Sequence, residues 1–336
     1  MLGNSKPRSV ASFVRAAGLA ALLGIAATGA QAQDTITIQT DWAPHGMHAG
    51  LLLAVEKGWF AEVGLDVDVQ DGRGSNATIQ QVAAGQLDIG FAQLGAMASA
   101  IDSGMPITSI MGFVRAGDNG LMVPRDSGWT TLEDLKGKRI AVPAGGATAA
   151  FTDAFLEAGG MSRNDFDVIN VDSSAMVSTY TSGGADAVLS TVAFFKPIVE
   201  SARPSEGILF SDVGLRVPGY GLVVLRETAD EMPEPLGTFV EVQQRTWEYI
   251  FEGNEEEAVD AIISQRPDMR LDREVMLGQL KAYMPLFNTP NTEGKPIGWQ
   301  SEQDWIDALE AMETAGLISS GWTVDDYFTN RFVSEQ

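Results

Sequence analysis

His45 and His48 are the only histidines in the chain, and they stand one helical turn apart. A helix there would bring two ring nitrogens to one metal ion. No third ligand is marked beside them, and histidines ahead of a helix are commonly solvated. Gly72-Arg73-Gly74-Ser75-Asn76-Ala77 follows a strand-like stretch and opens a helix-like one, a loose match to the dinucleotide loop. Such a site wants an acid at the C-terminal end of the next strand. Asp88 stands at the start of that strand, so a glycine turn before a helix is the better reading. No G-x-S-x-G or G-x-x-x-x-G-K-[ST] occurs, and there is no cysteine. Disulfides, a thiolate nucleophile, Cys-ligated zinc and iron–sulfur clusters are therefore excluded. No catalytic residue, metal ligand or cofactor is assigned.

Pro143-Ala144-Gly145-Gly146-Ala147-Thr148 ends a strand in two glycines and starts a helix at once. That sequence presents free backbone N–H groups beyond a sheet edge. In open parallel sheets, ligands sit beyond the carboxyl ends of the strands. Asp41-Trp42-Ala43-Pro44, Ala92-Gln93-Leu94-Gly95, Ser190-Thr191-Val192 and Tyr220 reach the same edge. Trp42, directly after an alternating strand, is expected to project into a cleft; the alternative is an apolar cap on the first helix. Phe194 can stack on a ligand ring or pack within its own helix.

The elements that must position these residues alternate along the chain. Ile36–Thr40 and Asp66–Gln70 read as strands, with a helix from about His48 to Val63 between them. A helix carrying Ile79 and Val82 ends at Gly85, and a strand follows at Asp88–Ala92. The pattern resumes with Arg139–Pro143, Ala147–Ala158, Val168–Val171, Met176–Thr181 and Ala187–Leu189. Strand, helix, strand at this spacing implies parallel βαβ units. Gly85-Gln86-Leu87-Asp88 and Gly183-Gly184-Ala185-Asp186 echo each other weakly, which alone does not establish a duplication. Beyond about residue 226 amphipathic helices take over: Leu236–Phe251, Glu255–Ser264, Arg273–Tyr283 and Glu302–Ala315. Trp247, Tyr249 and Phe251 read as core.

With 336 residues and 45% of them hydrophobic, the chain has material for two cores. A net charge of −23 repels nucleic-acid backbones and anionic lipid surfaces, so neither is an expected partner. Lys6, Arg8 and Arg15, the apolar run Ala16–Ala27 and then Ala30-Gln31-Ala32 form a secretory leader. The run is too short to span a membrane, which takes about 20 residues. Cleavage after Ala32 would release a still more acidic periplasmic protein. Segment 1–32 is thus read as a signal peptide, 33–120 as the first part of lobe 1, 121–222 as lobe 2, and 223–336 as the helical return to lobe 1.

The run from Asp41-Trp42-Ala43-Pro44 through His48-Ala49-Gly50, with Ala54-Val55-Glu56-Lys57-Gly58-Trp59-Phe60 and Gly64-Leu65-Asp66-Val67, resembles a family opening, D-W-x-P-x-x-x-H-x-G…A-x-x-K-G-[YW]-F…G-L-[DE]-V. That family comprises periplasmic binding proteins related to thiamine-pyrimidine (hydroxymethylpyrimidine) synthase and overlaps the nitrate, sulfonate and taurine binding proteins of ABC importers. Val82–Gly90, Leu132–Ile140 and Tyr327-Phe328-Thr329-Asn330 resemble further family stretches. The resemblance implies a type II periplasmic binding protein fold, α/β, with two lobes that are each a mainly parallel sheet flanked by helices. It implies a monomer that closes on a small solute and delivers it to inner-membrane permease subunits. It places Asp41, Trp42 and His48 at the ligand, with the loops at Gln93, Gly145–Thr148 and Thr191. The opening favours a planar nitrogen heterocycle such as a thiamine-precursor pyrimidine. The family's pyrimidine binders often carry a Glu where this chain has Thr191-Val192-Ala193-Phe194-Phe195. The alternative is a small anion, such as an alkyl or aryl sulfonate, taurine or nitrate, with Arg115 as its cationic partner. A synthase-like enzyme is disfavoured, because the resemblance ties that chemistry to a cysteine-rich iron-binding stretch.

Overall fold

The computed structural model describes Met1, Gly3 and residues 34–144 and 147–334. The segment read as a leader, apart from Met1 and Gly3, and Gly145 and Gly146, expected at the ligand, lie outside the described residues. Among the described residues ten strands form where apolar residues alternate or run continuously between turns. They are β1 (Asp34–Gln39), β2 (Leu65–Gln70), β3 (Ile89–Gln93), β4 (Ile107–Gly112), β5 (Asn119–Pro124), β6 (Arg139–Pro143), β7 (Asp167–Val171), β8 (Ala187–Thr191), β9 (Ser205–Leu209) and β10 (Tyr220–Leu225). Edge strand β2 alternates in exposure, whereas β3, β4 and β5 are buried along their whole length, the mark of strands covered on both faces.

Two five-stranded sheets result, in the orders β2-β1-β3-β10-β4 and β7-β6-β8-β5-β9. Each keeps four strands in one direction and one reversed: β10 pairs antiparallel with β3 and β4, and β5 with β8 and β9. The two orders are the same arrangement used twice. Each reversed strand is the first strand the chain makes after leaving the other sheet. The weak echo in the sequence marks equivalent points of this repeat. Gly85 and Gly183 both take positive φ, 67° and 78°. Asp88 then accepts the Thr37 N–H at 2.7 Å, and Asp186 accepts the Arg139 N–H at 2.9 Å, so the aspartates pin the equivalent strands β1 and β6.

The chain crosses between the sheets twice, over residues 113–118 and 210–219. These segments touch backbone to backbone, with the Gly219 N–H on the Val114 carbonyl at 3.0 Å. Only glycine allows this approach. A Cβ at Gly117 would lie 2.0 Å from the Val217 oxygen, and one at Gly219 would lie 2.4 Å from the Val114 oxygen. Beyond β10 the helices Pro233–Phe251, Glu255–Gln265 and Arg273–Tyr283 bury Phe239, Val240, Trp247, Ile250 and Leu280 against Ile36 and Ile38 of the first sheet and Phe113 of the first crossover. Trp247 is core, as its spacing suggested, while Phe251 at the end of the same helix is exposed. A second core joins the sheets, with Leu94, Val217, Leu121, Phe155 and Trp305 in one cluster. The helix expected over His48–Val63 is broken: Ala49–Glu56 and Trp59–Glu62 are separated at Gly58, which has φ 70°.

Candidate ligand-binding site

The register explains why distant residues meet. Tyr220, at the start of reversed β10, sits opposite Gln93 at the end of β3, and the Gln93 amide donates to its hydroxyl at 3.3 Å. In the second sheet Asn119 sits opposite Thr191, and Thr148 Oγ1 donates to Asn119 Oδ1 at 3.2 Å. Asp41 follows β1 and is held by the glycine turn, whose Gly74 N–H binds the Asp41 carbonyl at 2.6 Å. The two edges face each other. His45, beside the first sheet, meets Phe194 of the helix Val192–Val199 edge to face, with centroids 5.2 Å apart.

The two histidines form an unusual cap. His45 is the N-cap of the short helix Gly46–His48, and its Nδ1 accepts the Met47 N–H at 3.3 Å. His48 Nδ1 in turn accepts the His45 N–H at 3.4 Å. With both Nδ1 atoms accepting, both Nε2 atoms carry the proton. Both point at one oxygen, Asp41 Oδ1, at 3.4 Å from His45 and 2.8 Å from His48. The three side chains do bring three potential metal-ligand atoms within 4.8 Å of one another. Metal-bound histidines, however, donate from the other ring nitrogen to an acceptor, and here both other nitrogens face backbone N–H donors. The rings are set to hold Asp41.

Burial by itself would raise the Asp41 carboxyl, but the hydrogen bonds from His45 and His48 hold it well below the usual range. Burial, and then His45, push the His48 ring down to about 4. Asp41 is thus ionised and His48 neutral near pH 7.

Asp118 was hidden in a turn-rich string and is the residue that sequence reasoning missed. It is 3% exposed. Its Oδ2 accepts the Ala193 N–H at 2.9 Å, and its carbonyl accepts the Val192 N–H at 2.9 Å, so it caps the helix Val192–Val199. Its Oδ1 is buried without a partner. Burial pushes its carboxyl up to about 6, against the Ala193 amide and His45. The Tyr283 hydroxyl, in a ring 5.9 Å from Tyr220, is likewise buried with no partner at hydrogen-bond geometry. The charges acting on Tyr220 and Tyr283 are Asp41 and Asp118; no lysine or arginine is among them.

Several expectations need correcting. Free helix N-termini were expected at this edge, yet the Leu94 and Gly95 N–H groups are taken by the carbonyls of Gly219 and Pro218, and those of Val192 and Ala193 by Asp118. The crossovers cap both helices. After Ala147 the chain makes a 3-10 turn, Thr148–Phe151, before the helix Thr152–Ala158. Arg115 does not face Asp41 or Asp118; it donates from Nη2 to the Pro296 carbonyl at 3.0 Å and lines a cavity of about 450 Å³. That cavity shares no lining residue with the predicted ligand set. Asp41, His48, Gln93, Thr148, Thr191 and Tyr220 are all buried, so this edge is shut. Trp42 and Phe194 are half-buried. Trp42 makes no ring contact with any described residue, and its carbonyl accepts Thr40 Oγ1 at 2.8 Å.

Comparison with known proteins fits this geometry. Residues 45–257 match the family model described as NMT1/THI5 like. The chain belongs to the NMT1/THI5-like family. Among its relatives, the formylaminopyrimidine-binding protein of Halalkalibacterium halodurans is 24% identical over 305 residues, 89% of this chain and 91% of that protein. Solved periplasmic binding proteins share the fold. The aliphatic sulphonate binding protein SsuA of Escherichia coli gives a TM-score of 0.63 at 14% identity, covering 87% of this chain and 91% of that one. The nitrate-binding protein NrtA of Synechocystis PCC 6803 gives 0.65 at 17% identity, covering 89% and 86%. At such identities these two speak for the fold alone. No described helix of this NMT1/THI5-like chain is long and apolar enough to cross a membrane.

Proposed function

We propose that this chain is the exported solute-binding component of an ABC importer, and that it closes on a small planar nitrogen heterocycle of the aminopyrimidine kind. The observation carrying this reading is the polarity of the shut edge. Two buried carboxylates, Asp41 and Asp118, lie among uncharged polar side chains and the two histidines, and among the described residues neither is paired with a lysine or arginine. Asp41 Oδ1 is taken by two rings, and Asp118 Oδ1, buried and unpaired, is the acceptor offered to a ligand N–H. This supplies what the Thr191–Phe195 stretch lacks. Trp42 offers the stacking face, and closure of the edge excludes water from the few polar contacts. A nitrate or sulfonate would meet like charge here. The relative named for formylaminopyrimidine binding, matched along nearly its whole length, supports the same class.

The chain has no cysteine, which sets it apart from the synthase-like alternative. In this reading the mature protein starts after Ala32, works as a monomer in the periplasm and hands its solute to permease subunits. Binding to the native state raises the melting temperature by mass action. A thermal-shift screen of the mature protein against aminopyrimidines, flavins, alkanesulfonates and nitrate should give an upward shift with an aminopyrimidine. A shift with sulfonate or nitrate alone would overturn the assignment.

A further inference from the structure

The 450 Å³ cavity lies along the two crossovers. Its wall includes Arg115 and Gly117 of the first, Leu215 and Val217 of the second, and Ser301 and Trp305 from the C-terminal segment. Arg115 is anchored rather than loose: its N–H and that of Ala116 both bind the Leu286 carbonyl, at 2.9 and 3.2 Å. Of its guanidinium only Nη2 is used, on Pro296. Nε and Nη1 are buried with no acceptor. A buried donor left unpaired costs about 1–3 kcal/mol and more when charged, so this group is set for an acceptor the fold does not supply.

The other charges on the cavity wall are already matched. Asp304 accepts Thr289 Oγ1 at 2.5 Å and Asn291 Nδ2 at 2.6 Å and sits in the first turn of the helix Glu302–Thr314, where a negative charge is favoured. Asp307 stands 3.8 Å from Arg216. Burial lowers Arg115 to about 10, with Asp304 opposing, so it keeps its charge at neutral pH. Leu94, Phe210, Leu215, Val217 and Trp305 give the wall an apolar part, beside uncharged polar residues such as Asn288, Gln300 and Ser301.

We infer that this cavity is a second binding site, for a small organic acid with an apolar body, whose carboxylate meets Arg115 and whose body lies against Trp305 and Val217. Because both crossovers form its wall, its occupant bears on the segments that must bend when the lobes open. The site meets the heterocycle edge only through Asn119 and does not depend on its assignment.

Calorimetric titration of the mature protein with benzoate, and with benzyl alcohol as the uncharged match, tests this. Saturable binding of benzoate and at least about tenfold weaker binding of benzyl alcohol are expected. Arg115→Gln should abolish the preference for benzoate. Should that variant not fold, Ser211→Trp places a bulky ring at the exposed mouth of the cavity, away from the Arg115 contacts, and should weaken benzoate equally. Hydrogen exchange should slow on benzoate addition in residues 113–118 and 210–219. Absence of saturable binding, equal affinity for the alcohol, unchanged binding in the variants, or protection confined to other segments would each overturn the inference.

Discussion

A carboxylate held under the surface with one oxygen unmatched pulls function and stability apart. Asp118 has an ordinary value of 3.8 and is pushed up to about 6 by burial. Below pH 4 both folded and unfolded chains hold its proton, and nothing is lost. As pH rises through 6 the folded state must carry the buried charge, at an order-of-magnitude cost of about 3 kcal/mol. Asp118→Asn keeps an acceptor for the Ala193 amide and removes that charge. Its melting temperature should exceed the wild type's at pH 7.5, with the gap closing toward pH 4, while heterocycle binding weakens. A gap that does not depend on pH would refute the role given to burial. His48 runs the other way. Its folded value of about 4 lies below its ordinary 6.5, so its contribution is complete above pH 6.5 and is lost as pH falls toward 4. His48→Gln should flatten the acid side of the stability profile recorded by thermal melts. That His45 and His48 stand one turn apart was legible in their spacing, while Asp41 as their common partner, on the loop after β1, was not. Nor was the direction of the two ring protons, because backbone donors from the folded turn set it.

At the scale of elements, the crossovers do the positioning. They cap the helices that begin at Leu94 and Val192, and they touch at two glycines. Gly219→Ala would drive a Cβ into the Val114 oxygen, and overpacking of this kind typically costs about 1–3 kcal/mol. A lower denaturation midpoint together with weaker ligand binding is expected in chemical melts and titrations; a neutral effect would mean that the crossovers separate freely. Alternation made β1 and β2 readable, and Arg139–Pro143 and Met176–Thr181 stand where the pattern put them. Reversed β5 and β10 were not readable as strands. Asn119–Pro124 begins inside the turn-rich Ala116–Gly120 string, and Tyr220 follows Pro218-Gly219. A strand's direction is decided by partners such as Thr191 and Gln93, far away in sequence. That is why Tyr220 was placed at the edge from sequence while Asp118, just ahead of β5, was passed over.

Across the whole molecule, one sheet plan appears twice, and the chain exchanges one strand between the copies. The sequence hints at this only through Gly85–Asp88 and Gly183–Asp186, because the plan lives in strand order rather than in residue identity. The arrangement brings two rows of strand ends together on a shut, acidic-to-neutral edge, with Trp42 half-buried beside it and in no ring contact with a described residue. The central claim is that this edge closes on a flat nitrogen heterocycle stacked on Trp42. Calorimetric titration of an aminopyrimidine into the mature wild type and into Trp42→Ala tests it most directly. Saturable binding in the wild type, weakened by at least about 1–2 kcal/mol in the variant with an unchanged melting temperature, is the predicted result. Equal affinity in both proteins, or heat from alkanesulfonate or nitrate and none from the heterocycle, would contradict it.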